Sequence, residues 1–135
     1  MLTSLLCNVK NLKLYLERTR ITELYIDGKK IGRQESLCTP HIYDLNEYIG
    51  TGIHEMTICV SNVGYKTKGG HLTSPDTQTN WNGITGRIEL IGYKNAHAEN
   101  VMLWCDIHSK TVRVTADITG GKSGKAVISA ESFNS

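Results

Sequence analysis

The stretch LYIDGKKIG, residues 24–32, decides the fold. Leu24 and Ile26 share one parity and Tyr25 has the other, which is the period-two alternation of a half-buried strand. The Asp-Gly pair at positions 27–28 comes next. It is a strong hairpin signal, because the primed two-residue turns need positive φ at their central residues. The stretch therefore predicts a β-hairpin whose second strand begins directly after the turn.

The same period governs the rest of the chain. Further strands are predicted at residues 12–16, 41–45, 56–60, 84–90, 101–107, 112–118 and 125–130. No segment sustains a 3.6-residue period, and residues 45–49 offer about one helical turn. Short strands separated by frequent turns predict an all-β protein built as a sandwich or jelly roll.

Composition excludes several classes of partner. The chain has 135 residues, 39% of them hydrophobic and 21% charged, as expected of one soluble domain, or of one domain with part of another. A net charge of +2 is too small to indicate nucleic acid or an anionic membrane. The densest basic group, at positions 18–33, is interpreted as a solvated hairpin face. No stretch approaches the ~20 apolar residues of a membrane span.

Cysteines and histidines give no support for a metal or another cofactor. The four cysteines, Cys7, Cys38, Cys59 and Cys105, include no C-x-x-C pair. We expect reduced, mostly buried thiols, with one disulfide left open as an alternative. The five histidines lack metal-pair spacing, so surface or capping roles are expected for them.

A long polar loop carries the candidate site. Residues 61–80 are almost devoid of apolar side chains, and a loop of this length in a compact domain is usually functional or disordered. The candidate substrate-binding residues are Asp76, Gln78, Asn80, Trp81 and Asn82. Carboxylates and carboxamides can pair with sugar hydroxyls, and an indole face can lie against a pyranose ring. In extended backbone the first three share one side of the chain.

Plainer interpretations of the same residues stand beside this one. Asn82-Gly83 can be a hairpin turn with Trp81 as a core anchor, and Asp76 can cap a turn. Glycoside hydrolysis needs two carboxyl groups ~5–9.5 Å apart, and nothing in the sequence marks such a pair. We therefore predict no catalytic residues and no catalysis by this chain alone.

Three stretches resemble the N-terminal sugar-binding domain of glycoside hydrolase family 2. They are ERTRIT with LYIDGKKIG (residues 17–32), TPHIYDL (residues 39–45) and TQTNWNGITGRIEL (residues 77–90). The resemblance covers about residues 10–93. Many members read G-I-x-R where this chain has Gly86 before Arg87, so no site role is carried onto Arg87.

The resemblance implies a jelly-roll, galactose-binding-like domain over residues 1–93. Residues 94–135 would then be the opening strands of an incomplete immunoglobulin-like sandwich. The catalytic barrel of the family is missing, and the loop would reach it to complete a pocket around the terminal sugar, with Asp76 contacting hydroxyls. Opening strands of the jelly roll also look absent, which would leave an edge able to pair with another copy. A periplasmic or extracellular location is suggested.

The leading hypothesis is thus a non-catalytic sugar-binding module of a retaining exo-glycosidase. The alternative is a free-standing, lectin-like or interaction β-sandwich whose loop binds glycan unaided. A third interpretation is a structural spacer. No nucleic acid or membrane partner is expected.

Overall fold

The computed structural model describes residues 9, 11–64, 82–121 and 124–131. The chain divides into two compact units, Met1–Lys94 and Asn95–Ser135, which are treated separately below. The described residues form strands and turns and no helix. Nothing in these ranges is therefore a helix of the length and hydropathy that crossing a membrane requires.

The first unit contains two three-stranded sheets. Its strands are β1 (Asn11–Leu16), β2 (Ile21–Ile26), β3 (Lys29–Glu35), β4 (His41–Asp44), β5 (Met56–Ser61) and β6 (Ile88–Tyr93). One sheet has the order β4-β1-β6 and the other has the order β3-β2-β5. Every pairing is antiparallel.

The core forms where the inward faces of these sheets meet. Strands β1 and β2 alternate as their sequence predicts, and the buried cluster consists of Leu12, Leu14, Leu16, Leu24, Ile26, Tyr43 and Leu45. The predicted hairpin is confirmed: Asp27 has φ 50° and Gly28 has φ 76°, as a primed turn requires. The all-β prediction is confirmed with it, whereas the jelly roll stays a prediction.

Strand β6 forms one edge of its sheet and is poorly covered. Leu90 lies opposite Leu14, and Ile88 lies opposite Leu16, so both share the core-facing side of the sheet. They are nevertheless 48% and 57% exposed. These side chains can be buried only by the facing sheet, and that sheet covers an edge strand only in part. Pairing of an open sheet edge with another copy stays a prediction.

The second unit is one hairpin of two strands, β7 (His97–Asp106) and β8 (Thr111–Thr119). A bulge lies between Glu99 and Met102, where Asn100 has φ 49°. Strand β7 therefore starts earlier than predicted, since the bulge lets the polar residues ahead of 101 pair as well. The strand predicted at 125–130 is wrong. Those residues are not in a strand, and Val127 and Ile128 are 80% and 70% exposed.

The cysteine prediction is half right. Cys38, Cys59 and Cys105 are free thiols, but all three are exposed rather than buried. Cys59 lies opposite Glu23, so it belongs to the outer face of its sheet. Its apolar neighbours in sequence point the other way. Cys7 lies outside the described residues.

Candidate carbohydrate site

Strand registers show where the long loop is attached. At one end of β1, Leu16 pairs with His41, where β4 begins, and with Ile88, where β6 begins. At the start of β2, Ile21 pairs with the last residues of β3 and β5. Three connections therefore emerge at the same end of the first unit: residues 17–20, 36–40 and the β5–β6 loop.

Most of the predicted site residues fall inside that loop. Asp76, Gln78, Asn80 and Trp81 lie outside the described residues. Asn82 is described and exposed, and its Oδ1 accepts a hydrogen bond of 3.0 Å from the Gly83 N–H. Gly83 has φ 90°, a left-handed value that suits glycine. Asn82 thus has a local turn role, which leaves sugar contact at this position untested.

The C-terminal end of the β5–β6 loop, at Thr85 and Gly86, is called here the loop foot. It is hydrogen-bonded to the β1–β2 connection. The main-chain N–H and the hydroxyl of Thr85 both donate to the Arg18 carbonyl at 3.1 Å. Gly86 N–H donates to the Glu17 carbonyl at 3.1 Å. A Cβ on Gly86 would lie 2.8 Å from that same carbonyl oxygen. This close approach of two backbones leaves no room for a side chain at position 86.

Next to the loop foot, the Arg87 side chain contacts Glu17 and Tyr15 on the outer face of the sheet. Its Nε lies 3.1 Å from Glu17 Oε2, and its guanidinium lies 4.9 Å from the ring centre of Tyr15. Hydrogen bonds from the Arg87 main chain and then from its side chain hold the pKa of Glu17 below its ordinary value. These contacts favour the ionised form of Glu17, which helps to hold the loop end in place.

A buried polar network joins the two sheets at the same end. His41 is 1% exposed, and its Nδ1 lies 2.6 Å from Thr22 Oγ1. The Tyr43 hydroxyl donates to the Thr22 carbonyl at 2.9 Å. His41 Nε2 faces the Ser36 carbonyl at 3.0 Å. A carbonyl only accepts, so Nε2 carries a hydrogen and, in the neutral ring, Nδ1 accepts from Thr22.

Sequence reasoning missed this network. The surface or capping role expected for histidines is wrong for His41, and the solvated basic face is wrong for Arg20, which is buried. Strand alternation is the sequence signal that could have revealed the burial of His41, because His41 and Tyr43 both occupy inward positions of β4. The HIYDL segment thus has structural duties, with Leu45 in the core. Its inward-facing residues His41, Tyr43 and Leu45 are therefore explained by the core.

No family model matches this chain, and a search of curated proteins finds no match either. The resemblance to glycoside hydrolase family 2 therefore rests on the three sequence stretches named above and on nothing else. The described residues contain no group of three or more His, Cys, Asp or Glu side chains placed to hold a metal ion.

Proposed function

We propose that the chain is a non-catalytic sugar-binding domain fragment of a family 2 glycoside hydrolase. In this proposal the β5–β6 loop completes the substrate pocket of a catalytic barrel belonging to the same enzyme. The observation that carries it is the fixed foot of the loop, where Thr85 and Gly86 bond to residues 17 and 18. Binding residues commonly lie on loops held by a rigid scaffold, and this loop has the acid, amides and indole that suit a sugar.

The hairpin of the second unit supports the fragment part of the proposal. Because of the bulge at Asn100, one face of the hairpin holds only apolar side chains: Ala98, Val101, Leu103, Cys105, Val112, Val114, Ala116 and Ile118. Leu103 and Val112 are 65% and 59% exposed. An isolated two-stranded hairpin is marginally stable in water. Such a face suits an incomplete sandwich that other strands cover.

The opposite face of the hairpin is mostly polar, although it also carries Met102 and Trp104, and it has its own contacts. The Arg113 guanidinium lies 5.6 Å from the Trp104 ring centre, and Asn100 Nδ2 donates to Asp117 at 2.7 Å. The contrast between the two faces identifies the apolar one as the side that needs a covering sheet.

One observation favours the alternative, a free-standing lectin-like domain. A groove at the side of the sandwich combines carboxylates with a tyrosine within the first unit. That groove is taken up in the next subsection.

Two assays on the whole chain test the proposal. With 4-nitrophenyl β-galactoside, β-glucuronide and β-mannoside we expect no hydrolysis, and turnover by the pure chain would overturn the non-catalytic part. In calorimetric titrations with the free sugars we expect no tight binding, because half a pocket supplies few contacts. Micromolar binding that both Asp76→Ala and Trp81→Ala abolish would instead establish a self-contained lectin.

A further inference from the structure

A groove that combines polar and apolar side chains lies beside strands β3 and β4. Between the edge strands β3 and β4 and the turn after β4 runs an open groove of about 530 Å³, called here the edge groove. Small-ligand pockets typically span roughly 300–1,000 Å³. Ile31 and Ile42 supply its apolar side chains, and Asp44, Glu47 and Tyr48 supply its polar groups.

Asp44 is held in one orientation. Its Oδ1 accepts hydrogen bonds from the main-chain N–H of Asn46 at 2.9 Å and from Asn46 Nδ2 at 2.7 Å. Asn46 is fixed in turn, since its Oδ1 accepts from the Leu12 N–H at 2.8 Å. Both of these bonds reach Oδ1, and no hydrogen bond from the part of the chain that the structure describes reaches Oδ2, so that oxygen can accept from a ligand. A carboxylate positioned in this way is preorganised to accept a hydroxyl.

The edge of β4 adds main-chain groups to the groove. Gln34 closes one end, because its carboxamide bonds both the carbonyl and the N–H of Ile42. In a strand the outward-pointing main-chain groups recur at every second residue. The next outward position after Ile42 is Asp44, so its N–H and carbonyl face the same side.

The charges beside the groove select the kind of ligand. Asp44 and Glu47 are both acidic, so they disfavour a sugar acid. The Lys29 ammonium lies 5.8 Å from the Tyr48 ring centre and makes the site less suitable for a cation. A neutral pyranose carries no charge, so neither the carboxylates nor the Lys29 ammonium repels it. It presents hydroxyls to the carboxylates and a C–H face to the apolar side chains.

We propose that the edge groove binds one neutral hexose unit of a glycan. The Asp44 and Glu47 carboxylates accept hydrogen bonds from its hydroxyls, the Tyr48 hydroxyl adds a further polar contact, and Ile31 and Ile42 face its C–H side. The proposal does not depend on the loop, so it stands or falls separately from the proposed function.

The test is an NMR titration of the ¹⁵N-labelled chain with methyl β-galactoside, methyl β-glucoside and methyl α-mannoside, beside glucuronate and spermidine. We expect saturable shifts of the Ile42, Asp44 and Tyr48 amides in the millimolar range with at least one neutral sugar. Asp44→Asn, which keeps the turn acceptor, should weaken that binding about tenfold, in line with losing a charged hydrogen-bond partner. Tyr48→Ala should weaken it similarly.

Controls separate this site from the loop. Glu55→Gln, a change at an exposed carboxylate outside the groove, and Trp81→Ala should both leave the groove shifts unchanged. Absence of shifts at these amides with every neutral sugar would overturn the proposal. Loss of the shifts in Trp81→Ala but not in Asp44→Asn would assign the binding to the loop. Equal shifts with spermidine would show a general acidic patch.

Discussion

The two units use the same strand pattern with opposite results. In the sandwich, the alternating leucines of β1 are buried, and Leu16 has no exposed surface. In the hairpin, an equally regular apolar face lies open, as at Leu103 and Val112. Alternation in sequence fixes which side chains share a face. Whether that face becomes a core depends on a second sheet, which the sandwich has; the described residues of the second unit form one hairpin only.

The largest expected effect is the contrast between one core leucine and one hairpin leucine. Leu16→Ala should lower the free energy of unfolding by about 2–5 kcal/mol, because it leaves a cavity between the sheets. Leu103→Ala should change it by less than about 0.5 kcal/mol, as for exposed side chains. Urea denaturation of both variants measures the difference. Similar losses in the two would mean that the hairpin face is covered in solution.

A second contrast concerns two glycines. Gly86→Ala should cost about 1–3 kcal/mol, because the new methyl group would meet the Glu17 carbonyl and force the loop foot away. Gly50→Ala is the matched control, since nothing lies within 4 Å of a Cβ there. Thermal unfolding compares them. An unchanged unfolding temperature for Gly86→Ala would show that the backbone at the loop foot can shift at little cost in free energy.

The buried network should have an effect of the same order. Thr22→Val keeps the shape of the side chain and removes the hydroxyl that bonds His41 and Tyr43. The loss should be about 1–3 kcal/mol, the cost of leaving a buried polar group unsatisfied. Thr57→Val, at an exposed position of β5, should be nearly neutral. Chemical denaturation at pH 7.5 compares the two. Equal stability would mean that the network contributes little.

The smallest expected effect is on pH dependence. Burial lowers the pKa of His41, so the folded state favours the neutral ring. This stabilisation is complete above the ordinary histidine pKa of about 6.5 and is lost as pH falls below it towards the lowered folded pKa. The wild-type chain should therefore lose more stability between pH 7.5 and pH 5 than His41→Gln does. Parallel stability curves for the two proteins would contradict the assignment.

The elements that could be predicted from sequence are those set by local chemistry. The turn at Asp27-Gly28 follows from the positive φ that a primed turn demands, and the strands beside it follow from alternation. The predicted strand at 125–130 failed although its pattern is similar. Periodicity does not specify a hydrogen-bonding partner, and Val127 and Ile128 remain exposed.

The candidate sites also divide into one that could be recognised in the sequence and others that could not. The loop is recognisable in sequence because its composition is unusual, yet only Asn82 of its five predicted residues is described. The edge groove was missed because Ile31 and Asp44 come from different sheets. They meet only after the sandwich has formed. His41 was missed although the alternation of β4 places it inward, because its polar partner Thr22 belongs to the other sheet.

The central claim is that the loop is half of a sugar pocket. The chain has two tryptophans, so Trp104 on the hairpin is an internal reference for Trp81 on the loop. The most direct measurement follows both indole N–H resonances by NMR while a neutral methyl glycoside is added. We expect a weak, saturable shift of Trp81 alone, in the millimolar range, that Asp76→Ala removes. Saturation at micromolar sugar, or no shift of Trp81 with any sugar, would contradict the claim.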